Sequence, residues 1–104
     1  KRALIYDDEI ATGGSILEMS RALLNDGIED IMVMCTHGVF SRDGLARLTA
    51  VPQISTIVTT DTVNIPEEKM HPKLKVLSVG KVFADAIRHN FNHESISDLF
   101  VFGE

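Results

Sequence analysis

The chain has a single cysteine, Cys35. No internal disulfide can form, so the fold must be held by a packed core. A reducing cytoplasm fits this best. No apolar run approaches the roughly 20 residues needed to span a bilayer. No signal-peptide pattern is present either. An excess of basic residues is also lacking. Net charge is −5, which argues against a nucleic-acid surface. Internal repeats, low-complexity tracts and interdomain linkers are absent. There is no initiator Met: the chain opens at Lys1-Arg2, directly on a strand. A piece of a longer protein is therefore expected.

What is present is ordinary for one small globular domain. There are 104 residues, 44% hydrophobic and 24% charged. Residues 2 to 6 read as a first strand and Ser15 to Asn25 as a helix. Ile16, Met19, Leu23 and Leu24 recur there at helical spacing and predict one buried face that includes Met19. Gly27 marks its end. Residues 30 to 36 are a nearly continuous apolar run, as expected of a parallel strand covered on both faces. Cys35 falls inside it and reads as a small core residue. Ser41 is placed to cap a short helix over residues 42 to 49. Residues 54 to 59 and 74 to 79 read as strands three and four. Between them lies a polar loop, 60 to 73, with Asp61 at its start. A last helix spans residues 81 to 91, with Val82, Phe83, Ala86, Ile87 and Phe91 on one face. The tail, residues 94 to 102, alternates as a short strand or extended segment would. Ser95 and Ser97 would then share a face. The expected class is α/β, a Rossmann-like, mostly parallel sheet flanked by helices.

The chemistry concentrates between strand one and the first helix, in Tyr6-Asp7-Asp8-Glu9-Ile10-Ala11-Thr12-Gly13-Gly14-Ser15. A tight turn at a helix start offers backbone N–H groups and the positive end of the helix dipole to a phosphate. Gly13 and Gly14 permit close backbone approach, so successive N–H groups can line an anion nest. Thr12 and Ser15 add hydroxyl donors. Asp7 and Asp8 stand at the strand's end, where carboxylates accept hydrogen bonds from sugar hydroxyls. Taken singly, a glycine turn is usually only a turn, Ser15 only a cap and an acid pair only solvated. Their ordered combination is the signal. The Lys of the Walker loop is absent, so this is not an ordinary nucleotide P-loop. His37 falls at the carboxyl edge of the same sheet, either near a ligand or closing a turn.

This loop resembles the ribose-phosphate loop of type I phosphoribosyltransferase-fold proteins. The resemblance implies that Asp7 and Asp8 take the ribose diol, and that Ala11, Thr12, Gly13, Gly14 and Ser15 cradle the 5-phosphate. Many members carry a third Asp where this chain has Ala11; adenine phosphoribosyltransferases are similar to it in having Ala. Thr-His-Gly-Val-Phe-Ser at 36–41, Val-Thr-Thr-Asp-Thr-Val-Asn-Ile-Pro at 58–66, Phe-Ala-Asp-Ala-Ile-Arg-His at 83–89 and Asn-His-Glu-Ser-Ile-Ser-Asp-Leu-Phe at 92–100 resemble the ribose-phosphate pyrophosphokinases (PRPP synthetases). They do so in order, over nearly the whole chain.

That family implies the C-terminal part of a phosphoribosyltransferase-type domain, residues 1–104. Its activity is transfer of diphosphate from ATP to the 1-hydroxyl of ribose 5-phosphate, with Mg²⁺, giving PRPP and AMP. The ATP-gripping and metal-binding residues are expected outside this segment, so the segment alone is expected to be inactive. No catalytic residue and no metal ligand is assigned within it. Ser95 and Ser97 match a serine pair that helps bind a regulatory nucleotide or phosphate. A homo-oligomer is expected. An adenine-type phosphoribosyltransferase and a non-catalytic homologue are the alternative readings.

Overall fold

The computed structural model describes residues 1–100. The elements follow the chain as β1 (Arg2–Ile10), α1 (Gly14–Asn25), β2 (Asp30–Gly38), α2 (Gly44–Thr49), β3 (Ile54–Thr60), β4 (Leu74–Leu77) and α3 (Gly80–Phe91). Single 3₁₀ turns stand at Glu67–Lys69 and Ser97–Leu99. The four strands form one parallel sheet in the order β1-β2-β3-β4. Fold class is thus α/β, with a parallel sheet and flanking helices.

Right-handed crossovers that all step in one direction lay their helices on one face. The core follows this rule. Ile5, Val33, Ile57 and Leu74 are register partners across the sheet. They pack with Ile16 and Leu17 of α1 and Leu45 and Leu48 of α2. Because strand side chains alternate, the opposite row faces away from those helices. It includes Leu4 and Tyr6, at 59% and 64% exposure, with Met32 and Leu77 also exposed.

Several elements differ from the expectation. Strand β2 is covered on one face, not two, since Met32 is exposed beside buried Ile31 and Val33. On α1 the buried stripe is Ile16, Leu17 and Ser20, with Leu23 and Leu24 partly buried. Met19 is exposed, because the stripe turns toward position 20. Ser20 is accommodated there by donating to Ile16 O at 2.7 Å. The second helix starts at Gly44, not residue 42, and Ser41 makes no side-chain cap. Instead Gly44 N–H donates to Ser41 O in a turn.

Residues 61–73 do not hang free. Lys69 Nζ donates to Phe40 O, and Lys73 Nζ donates to Thr49 O and Val51 O. Two lysines thus fasten this segment along α2, one near each end.

Helix α3 buries no residue. Val82, Phe83, Ile87 and Phe91 share its apolar side as expected, yet all four are exposed. The tail is not a strand: Ser97–Leu99 is a 3₁₀ turn. Val101 and Phe102 of the expected segment lie outside the described residues. Among the described residues no helix is long and apolar enough to cross a membrane.

Candidate functional site

Strand β1 does not end at Tyr6. It runs through the acids to Ile10, because β2 pairs with it as far as Glu9 with His37 and Ile10 with Gly38. Ile10 is buried, and its carbonyl accepts the N–H groups of Val39 and Phe40 at 3.1 and 2.9 Å. This fastens the chain immediately before the loop. Ala11 and Thr12 bend. Gly13 then takes φ 81° and ψ 3°, a left-handed conformation that an L side chain resists. A Cβ there would also sit 3.3 Å from Leu48 Cγ. The chain turns directly into α1, and Leu17 N–H makes the first helical bond, to Gly13 O.

The result is a cup of about 150 Å³, lined by Asp7, Glu9, Ile10, Ala11, Thr12, Gly13, Gly14, Ser15 and Ile16. The first N–H groups of a helix have no acceptor within it. Here those groups belong to the lining residues, at the positive end of the helix dipole. Ser15 is not the N-cap; Gly13 is, and no side chain caps the helix. The cup therefore combines backbone donors, two hydroxyls and carboxylates at its strand side. That chemistry suits an anion joined to a polyol.

Six of the seven substrate-binding residues expected from sequence line this cup: Asp7, Ala11, Thr12, Gly13, Gly14 and Ser15. Asp8 is next to it and outside the lining, with alternation placing it on the other face of β1 from Asp7. Its N–H donates to Asp7 Oδ1 at 2.8 Å. Glu9 lines the cup and was not singled out.

His37 does not line the cup. Its Nδ1 is 2.7 Å from Thr62 Oγ1. Thr60 and Thr62 both donate to Thr36 O, at 2.7 and 3.2 Å. This cluster ties the end of β2 to the end of β3. Asp61 is tied as well: its Oδ1 accepts Val79 N–H at 2.8 Å, at the start of α3. That N–H, helped by Ser78, holds the Asp61 carboxyl below the usual carboxylate range. Cys35 is buried, and burial above all pushes its thiol up, with Asp7 adding a smaller push in the same direction. A thiol so placed is a core group and not a nucleophile.

Ser95 and Ser97 meet each other, Oγ to Oγ at 2.8 Å, and Ser97 N–H donates to Ser95 Oγ. His89 Nδ1 donates to Ser95 O at 2.9 Å, which attaches the pair to α3. No residue of α3 or of this pair lines the cup. Among the described residues no three His, Cys, Asp or Glu side chains are grouped to hold a metal ion.

Comparison with known proteins places the fold in a family. The sequence is 42% identical over 100 residues to a ribose-phosphate pyrophosphokinase of Caldanaerobacter subterraneus subsp. tengcongensis, covering 96% of this chain and 31% of that one. It is 41% identical to the ribose-phosphate pyrophosphokinase of Rhodopirellula baltica, with the same coverages. The crystal structure of phosphoribosylpyrophosphate synthetase from Mycobacterium smegmatis superposes with a TM-score of 0.84 at 35% identity, over 89% of this chain and 31% of that one. The chain thus spans about a third of the length of these relatives. Residues 1–101 match the phosphoribosyl synthetase-associated domain, and it is to this family that the chain belongs.

Proposed function

We propose that this chain is the ribose 5-phosphate-binding part of a ribose-phosphate diphosphokinase, which transfers diphosphate from ATP to the 1-hydroxyl of ribose 5-phosphate. It is read as the C-terminal part of a phosphoribosyltransferase-type domain, acting in the cytoplasm. The observation that carries the reading is the cup itself: Thr12 to Ser15 at a helix start, with Asp7 on the adjoining strand. In this reading the 5-phosphate lies on the N–H groups and hydroxyls of residues 12 to 15. The carboxylates of Asp7 and Asp8 accept from the diol. Such binding holds the sugar in one orientation, and phosphoryl transfer depends on positioning above all.

Mg²⁺ belongs to this reading as the partner of ATP, where it neutralises charge on the transferring phosphates. No residue here is assigned to it, since the described residues offer no ligand cluster. The exposed apolar side of the sheet and of α3 supports burial against further protein. A homo-oligomer is the form expected. Ser95 and Ser97, already joined to each other, are the expected regulatory pair.

The test is an assay of the intact protein that carries this segment. With ATP, ribose 5-phosphate and Mg²⁺ it should release AMP and PRPP in equal amounts. Consumption of PRPP with adenine would replace this reading by the adenine-type transferase. Binding of ribose 5-phosphate without any turnover would replace it by the non-catalytic homologue.

A further inference from the structure

Arg47 of α2 stands behind the loop, outside the cup lining, and its Nη1 donates to Thr12 O at 3.4 Å. Resting on the ribose 5-phosphate reading, we infer that Arg47 is a positioning residue that aims the Gly13 N–H into the phosphate cup. The argument starts from the peptide group. Thr12 O and Gly13 N–H belong to one planar unit, and among the described residues no peptide bond is cis. In a trans peptide the carbonyl and the N–H point in opposite directions. A donor that holds Thr12 O toward α2 therefore holds Gly13 N–H away from α2. The cup is lined by Gly13 itself.

Helix α2 is brought close enough for this by its first residue. A Cβ on Gly44 would lie 2.7 Å from Ala11 O and 3.0 Å from Thr12 O. Backbone atoms cannot yield as a flexible side chain can, so only glycine lets the helix start abut the loop. Leu48, fully buried, fills the space beneath Gly13. Arg47 is on the same helix, one residue before Leu48. The guanidinium is always charged. A cation on the carbonyl also polarises the peptide and strengthens its N–H as a donor. Orientation and polarisation act in the same sense, toward an anion in the cup.

The experiment compares Arg47→Leu and Arg47→Lys in the intact protein. Leu keeps an aliphatic stem and removes the donor; Lys restores a charged donor. The first measurement is wild-type binding of ribose 5-phosphate. If the wild type does not bind it, the functional reading fails, independently of Arg47. Given that binding, Arg47→Leu should raise KM for ribose 5-phosphate roughly fivefold, as expected for one weakened charged hydrogen bond. KM for ATP and kcat should stay near wild type. Arg47→Lys should recover part of the loss.

A second readout follows the geometry directly. On adding inorganic phosphate, the Gly13 amide proton of the wild type should move downfield, and the move should at least halve in Arg47→Leu. This signal comes from folded molecules alone, so lower stability of the variant does not mask it. A wild-type KM together with a wild-type Gly13 shift in Arg47→Leu would overturn the inference. So would an Arg47→Lys protein as weak as Arg47→Leu.

Discussion

The N–H of Asp8 donates to Oδ1 of Asp7 at 2.8 Å. Neighbouring acids that look equivalent in sequence are placed differently. Asp7 lines the cup, with one oxygen steadied by the backbone, and Asp8 stands outside the lining. Asp7→Ala should raise KM for ribose 5-phosphate about tenfold or more, since a hydrogen bond to a charged group is worth roughly 1.5–3 kcal/mol. Asp8→Ala should have a smaller effect. Steady-state kinetics of the intact protein checks both. An unchanged KM in Asp7→Ala would remove that residue from the diol site.

Asp61 gives a pH-dependent prediction. Its folded carboxyl titrates below the ordinary value of about 3.9, chiefly because Val79 N–H is bonded to it. A depressed carboxylate stabilises the fold above its unfolded pKa. That contribution disappears as pH falls through the folded value. The urea midpoint of wild type should therefore exceed that of Asp61→Ala at pH 7, and the gap should narrow at pH 3. The α3 end of the chain is where the difference arises, so far-ultraviolet dichroism is the suitable probe.

Lys73 offers a test of the fastened loop. Its ammonium donates to Thr49 O and Val51 O at 2.9 and 3.0 Å, at the end of α2. A cation at a helix carboxyl end is favourable in itself. Lys73→Met keeps most of the stem and removes both bonds. Stability should fall by about 1.5 kcal/mol, seen as a lower urea midpoint with an unchanged slope.

Much of this was legible from the residues. The order of strands and helices followed from periodicity and from Gly and Pro positions, since each element is local. The turn at 12–15 was legible because a tight passage from strand to helix needs glycine, here Gly13 at φ 81°. What sequence did not convey was pairing. Asp7, Asp8 and Glu9 look like a strand's end, and only the pairing of Asp7 with Cys35 and of Glu9 with His37 makes them strand. Without that, the place of Glu9 beside Asp7 in the cup lining goes unnoticed. Met19 was misplaced for a similar reason. A helical stripe can be rotated by one position, and the sheet decides which, here in favour of Ser20. Arg47 carries no motif at all. Its relevance depends on Gly44 letting two backbones touch, a tertiary fact.

Helix α3 has one more implication. It presents its oily side outward, and Asp61 bonds to Val79 just before its first residue. Its far end carries the linked hydroxyls of Ser95 and Ser97, hitched to His89. Whatever surface α3 settles onto must also decide where those hydroxyls come to rest. Docking of the helix against further protein would carry the serine pair with it.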